Sequence, residues 1–213
     1  MTMHGSPAAL DALLDREALR RRLESAGGRL DEHGWLSGDE GHERALAPEA
    51  RTPAAVLIGL VARPQGPQVI LTQRTAHLKD HAGQISLPGG RIEDEDEGPA
   101  AAALREALEE IGLAPDKVEL LGGLRHYDTI TGFRIHPVVG WIEPPVEFAP
   151  DPFEVAEVFE VPLGFALDPA NHRRDSYVRN GEQRHFYVVP YQDRYIWGAT
   201  AGILVNLARL LAG

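Results

Sequence analysis

The chain contains no cysteine. Disulfides, zinc-thiolate centres and a cysteine nucleophile are therefore excluded. No apolar run reaches the roughly 18 residues that a membrane-spanning helix needs. The N-terminus lacks a basic stretch followed by an apolar one, so no secretory signal is expected and the cytoplasm is the default compartment. Lysine is nearly missing. Lys79 and Lys117 are the only two, and arginine supplies the rest of the 21 basic residues. Arginine suits bidentate phosphate contacts. Positive charge is itself short, 21 basic against 32 acidic residues for a net charge of -11. That balance disfavours nucleic-acid binding, which needs a basic surface. It leaves room for a small anionic substrate delivered with a divalent cation. No Gly-x-Ser-x-Gly elbow and no Walker loop occur.

What is present is a globular composition. The 213 residues are 43% hydrophobic, enough for one domain with an appendage. A helix is expected over 15–26 with Asp15 as its N-cap. Residues 27–50 are polar, so 1–50 reads as a helical extension and linker, and 51–213 as the main domain. Strands are expected at 54–63 and 68–74, separated by a Pro-Gln-Gly turn. Residues 86–90 end a short strand on a Pro-Gly-Gly break, and 91–99 form an acidic loop. A helix is expected over 100–112, with Gly112 as its stop. Strands follow at 117–126, 134–142 and 155–161. A hairpin over 173–179 and 184–189 turns at Asn180-Gly181, and 198–211 closes the chain as an apolar helix. The order predicts an α+β domain with a mixed sheet layered between helices.

Acidic residues are concentrated. Eight of the 32 lie within 93–110. On the helix over 100–112, Leu104, Leu108 and Ile111 fall within about 60° and read as the core stripe. Glu106, Glu109 and Glu110 span about 100° on the opposite side. A solvated acidic face is one account of that cluster. Yet like charges at i,i+4, such as Glu106 and Glu110, cost about 0.2–0.5 kcal/mol, and surface helices usually interleave basic residues. Here the only base is Arg105, one turn before Glu109. A hard divalent cation would turn the repulsion into attraction, with waters and substrate phosphates completing its shell.

The stretch Gly90-Arg91-Ile92-Glu93-Asp94-Glu95-Asp96-Glu97, followed by Arg105-Glu106-Ala107-Leu108-Glu109-Glu110-Ile111-Gly112-Leu113, resembles the Nudix box. Its second half matches at every fixed position. Its loop is one residue longer than the pattern, so the loop acid falls on Asp96 counted from Gly90 and on Glu97 counted back from Arg105. Upstream, Leu71-Thr72-Gln73-Arg74-Thr75, Lys79, Gly83 and Leu87-Pro88-Gly89-Gly90 resemble the signature of bacterial coenzyme A pyrophosphatases. Thr75, Lys79 and Leu87 depart from it conservatively.

The resemblance implies an αβα Nudix sandwich and a Mg²⁺-dependent enzyme, with Mn²⁺ able to substitute. The reaction it implies splits the diphosphate of coenzyme A into 3′,5′-ADP and 4′-phosphopantetheine. Glu106 and Glu110 are then metal ligands. Glu109 is a further ligand or a water-orienting base, oriented by Arg105. Glu93, Asp96 and Glu97 are outer metal contacts. Arg74, Lys79, Gly89 and Gly90 face the substrate, and Gly83 relieves a backbone constraint. Glu154 is expected as general base ahead of Glu157, because it lies nearer a Pro-rich loop that could fold over the site. His77 and His81 read as loop histidines, and Trp197 as core. The rivals are an ADP-ribose or other nucleoside-diphosphate pyrophosphatase and a silent domain that only senses nucleotides. A homodimer is left open.

Overall fold

The computed structural model describes residues 14–26, 36–40, 46–77, 82–179 and 181–212. The first helix, α1 (Arg16–Ala26), is capped as expected, with the Ala18 N–H donating to the Asp15 carboxylate at 2.8 Å. The long strand β1 (Thr52–Arg63) turns back into β2 (Gly66–Arg74). Two short strands follow, β3 (Ile85–Ser86) and β4 (Gly89–Arg91), and then α2 (Pro99–Ile111). Strands β5 (Val118–Gly123), β6 (Tyr127–Asp128), β7 (Phe133–Ile142) and β8 (Val155–Pro162) complete the main sheet. After the short helix α3 (Leu163–Leu167) come β9 (Arg173–Arg179), β10 (Glu182–Tyr191), β11 (Arg194–Trp197) and the closing helix α4 (Gly198–Ala212).

The main sheet runs β3-β2-β1-β7-β5, with β4 also on β1, β6 on β7 and β8 on β2. Among the strands described, β1 and β7 pair in parallel and the other pairs are antiparallel, so the sheet is mixed. Strand β1 is apolar almost throughout because both its faces are covered. Ala55, Leu57 and Val61 pack under α2, while Ile58 and Leu60 pack beneath α1 and α4. This is the αβα layering expected. The second sheet, β11-β10-β9, is antiparallel and stands apart.

Three expectations need correction. The strand expected over 117–126 stops at Gly123, after a register shift against β7 between Leu120 and Gly122. The helix α2 meets the sheet on a different stripe from the one expected. Its buried residues are Ala102, Ala103, Ala107, Glu110 and Ile111, and Leu108 is 45% exposed. Alanines 103 and 107 lie on the wheel between the leucine arc and the acidic arc. Their small side chains let the helix approach β1, and that rotates Glu106 and Glu110 inward and Leu108 outward. Third, β11 pairs with β10 through residues 194–197, which the sequence did not mark as a strand.

The N-terminal residues join this body closely. Leu14, Leu19 and Leu23 share a core cluster with Leu121 and Trp141. The side chain of Asn206 on α4 accepts from the Leu36 N–H and donates to the Leu36 carbonyl, both at 2.9 Å.

Candidate active site

Glycines 89 and 90 bring the backbone of β4 against α2. Gly89 has φ 152°, and a Cβ there would collide with the Ala55 carbonyl and the Val56 backbone. A Cβ on Gly90 would fall on the Glu106 carboxylate. The missing side chains are thus what lets two carboxylates reach the strand end. The Gly89 N–H donates to Glu110 Oε2 at 3.0 Å. Glu110 is 4% exposed. Burial pushes its carboxyl up to about 7, against the pull of the Gly89 N–H and Arg74, with Glu106 and Glu154 adding to the rise. Burial also pushes Glu106 up, opposed by Arg105 and reinforced by Glu109 and Glu154.

Arg105 organises the acids around this pair. Its Nε and Nη2 form a fork on Asp96 at 3.1 and 3.0 Å, and Nη1 donates at 3.0 Å to both Glu106 and Glu109. Nη2 also donates to the Arg91 carbonyl at 3.0 Å, which ties the helix to the loop. The Arg105 fork holds Asp96 below the usual carboxylate range, helped by the Glu93 N–H. Of the two loop acids, Asp96 is therefore the one bound to Arg105. Glu93 and Glu97 are exposed. Glu109 is exposed and accepts from Arg105 at 3.0 Å.

Arg74, at the end of β2, lies 3.5 Å from Glu110 and 4.0 Å from Glu154. A register shift against β8 falls between Gln73 and Arg74 at this end of the strand. Glu154 thus stands at the rim of the same acidic cluster. Glu157 does not: Arg194 grips it at 2.9 and 2.7 Å, on β8 and β11. His77 packs edge-on against Phe153 at 5.2 Å, away from the carboxylates' contacts. Gly83 has φ 70° with open space around it, so its role is conformational. Lys79 and His81 lie outside the described residues.

Among the described residues, no three carboxylate or imidazole groups already converge as a closed metal cage. The donor set still suits a hard cation. Glu110 is buried and Glu106 partly so, Glu106 raises the proton affinity of Glu110, and both carry negative charge that a divalent ion would offset. Mg²⁺ typically takes only one or two protein carboxylates, leaving its remaining positions to waters and phosphates.

Beside the acids opens a cavity of about 800 Å³ that the sequence reading missed. Arg74, Gly89, Gly90 and Arg91 line it together with the aromatic residues Phe133, Tyr177, Phe186, Tyr195 and Trp197. Trp197 is therefore a wall residue of the cavity and not core. It sits half-buried at the end of β11. Alternating aromatics in 177–197 were the available signal, but only strand register shows that they share a face.

Residues 51–180 match the family described as NUDIX domain. The chain is 44% identical over 155 residues to the Uncharacterized Nudix hydrolase NudL of Escherichia coli (strain K12), covering 73% of this chain and 80% of that protein. Among solved structures it resembles the Nudix hydrolase RenU of M. smegmatis at 26% identity and TM-score 0.47, over 62% of this chain and 81% of that one. A C. elegans Ap4A hydrolase matches at 18% identity and TM-score 0.43, over 52% and 80%. Among the described residues, no helix is long and apolar enough to cross a membrane. Nudix hydrolases generally use divalent metal ions, which agrees with the paired carboxylates of α2. The acidic helix braced by Arg105, the glycine turn against it and the match over 51–180 together place this chain in the Nudix family, as a hydrolase of the pyrophosphatase type.

Proposed function

We propose that the chain hydrolyses the diphosphate bond of coenzyme A with Mg²⁺, releasing 3′,5′-ADP and 4′-phosphopantetheine, and that Mn²⁺ can replace Mg²⁺. The observation that carries the reading is the stretch 71–90, whose resemblance to the coenzyme A pyrophosphatase signature runs into the glycines lying on Glu106 and Glu110. We take 51–213 as the catalytic domain, 1–50 as its extension, and the cytoplasm as its compartment.

In this reading Glu106 and Glu110 hold the metal, with Glu109 as an outer ligand or water-orienting group. A divalent ion held there would neutralise diphosphate charge and lower the pKa of an attacking water. Arg105 fixes Glu106 and Glu109 by direct hydrogen bonds and anchors the loop through Asp96 and the Arg91 carbonyl. The Gly89-Gly90 backbone lets the diphosphate approach the carboxylates. Arg74 offers a cation beside Glu110, where it also lines the cavity. Lys79 would supply a second cation from the same stretch. Glu154, half-exposed at the rim, accepts the proton of the attacking water.

Two predictions follow from these positions. Glu154→Gln should lower kcat by about 10²-fold or more, the range of a lost general base. It should leave Mg²⁺ affinity nearly unchanged. Glu157→Gln should keep full kcat, because its carboxylate is spent on Arg194. Equal rates in the two variants, measured beside Mg²⁺ titrations, would remove Glu154 as the base. Arg74→Gln should lower kcat/KM by roughly 10- to 100-fold, the size of a charge-assisted contact. Because Arg74 stands at the metal end, coenzyme A and ADP-ribose should suffer alike. A loss on coenzyme A alone would move Arg74 to a phosphate that ADP-ribose lacks.

The deciding experiment is a substrate panel in Mg²⁺ and in chelator, with products identified by mass. Cleavage of coenzyme A to the two named products supports the reading. Preference for ADP-ribose assigns the rival pyrophosphatase activity. No turnover of any diphosphate in Mg²⁺ leaves a nucleotide sensor.

A further inference from the structure

We propose that Tyr177, Phe186 and Trp197 form a stacking wall for the purine base of the substrate's nucleotide half, making the second sheet the element that seats that half in this enzyme. The inference deepens the reading above only in assuming an adenine nucleotide half, which coenzyme A and ADP-ribose share.

The register of the second sheet carries the argument. Tyr177 pairs with Arg184, Phe186 with Asp175, and Val188 with Trp197. Directly paired residues, and residues two apart on one strand, share a face. Tyr177, Phe186 and Trp197 therefore stand together on one face, and all three line the cavity. Phe186 is the centre of the group, with ring centroids 5.4 Å from Trp197 and 5.9 Å from Tyr177. Nothing in the hydrolytic chemistry needs three rings here. Each borders the cavity that Gly89 and Gly90 also line.

The position of the wall in the chain is a second, independent observation. The family match ends at residue 180, so Phe186 and Trp197 lie beyond it. Asp39 and Glu40, which line the same cavity, lie before residue 51. Asp39 is held by the Tyr127 hydroxyl and the Ile130 N–H, each at 2.9 Å. Glu40 is tied to β10, accepting from the His185 N–H on its carboxylate and from Arg184 on its carbonyl. The shared domain thus supplies the diphosphate chemistry, while two flanking segments complete the cavity.

The occupant follows from the wall's chemistry. A flat base has a π face for every ring, and stacking on aromatics does not depend on a hydrogen-bond code. Glu40, which also lines the cavity, supplies in its carboxylate the acceptor type that an exocyclic amino group needs. A pantetheine arm has no ring to stack.

The test uses the full chain, with AMP and 4′-phosphopantetheine as separate probes in calorimetric titrations. Phe186→Ala should weaken AMP by roughly 5- to 100-fold, the range for one lost base–aromatic stack. It should leave 4′-phosphopantetheine within about twofold, and Phe186→Tyr should restore AMP binding. AMP should also quench tryptophan emission, and Trp197→Phe should abolish the quench while still binding AMP. That readout stands even if Phe186→Ala fails to fold. The inference is overturned if AMP binds equally to wild type and folded Phe186→Ala, if 4′-phosphopantetheine is the probe that weakens, or if the quench survives Trp197→Phe. Failure to cleave coenzyme A while AMP still depends on Phe186 would instead overturn the substrate reading and leave the wall standing.

Discussion

Glu110→Gln is expected to lower kcat by at least about 10²-fold, the scale of losing a key electrostatic group, and at the same time to raise the stability of the metal-free protein above neutral pH. Both effects have one origin. The glutamate is nearly inaccessible, and burial lifts its carboxyl from the ordinary 4.5 to about 7. Below about 4.5 it is protonated in the folded and unfolded states alike, so its ionisation costs the fold nothing. Between those values the unfolded chain loses the proton and the fold retains it, so stability falls as pH rises. Above about 7 the cost is fully present, on the order of 1–3 kcal/mol. Glutamine keeps the shape and the acceptor for the Gly89 N–H but carries no charge. The variant should therefore gain little at pH 5 and most at pH 8. Mg²⁺ should raise the Tm of the wild type and have little effect on the Glu106→Gln, Glu110→Gln double variant. Near-wild-type kcat in Glu110→Gln at saturating Mg²⁺ would end its assignment as a ligand. An unchanged Tm at pH 8 would show that the buried charge is already compensated.

Two neighbouring glycines should fail in different ways. Gly89→Ala is expected to destabilise the protein by roughly 2–4 kcal/mol, in the upper range for single substitutions. Its new Cβ meets fixed backbone at Ala55 and Val56, and φ 152° disfavours any side chain. Neither obstacle can move without breaking the β1–β4 pairing of Val56 with Gly89. The nearest atoms that a Cβ in Gly90→Ala meets belong to the Glu106 carboxylate, the far end of a flexible side chain. That group can swing aside, so stability should change by less than about 1 kcal/mol. The displacement takes Glu106 from its place beside Glu110, and a shift of about 1 Å at a reacting centre can cost on the order of 10²-fold in rate. Thermal unfolding and kcat, measured on both variants, separate the two cases. A stable, fully active Gly90→Ala would show that Glu106 need not stand where it does.

Much of the architecture was legible because it rests on local rules. Asp15 sits at a helix N-cap because its short carboxylate reaches the Ala18 N–H. Gly112 ends α2 in the left-handed conformation, with φ 67°. The continuous apolar run in β1 required a strand covered on both faces. The acids and Arg105 were legible for a similar reason: charges three and four apart on a helix must meet, whatever the fold.

The sequence by itself determined the αβα order of elements, the family and the residues of the acidic helix. It did so through composition, periodicity and motif, which are properties of neighbours in the chain. Only the tertiary structure decided which way α2 faces. Periodicity gave two arcs, leucine and glutamate, and the alanines between them won because small side chains permit close approach to β1. Tertiary contacts likewise decided that Asp96, rather than Glu97, meets Arg105, and that Glu154 joins the site while Glu157 is taken by Arg194. The aromatic wall belongs to the same class. Tyr177, Phe186 and Trp197 become neighbours only when three strands pair in one register, and register is fixed by partners distant in sequence.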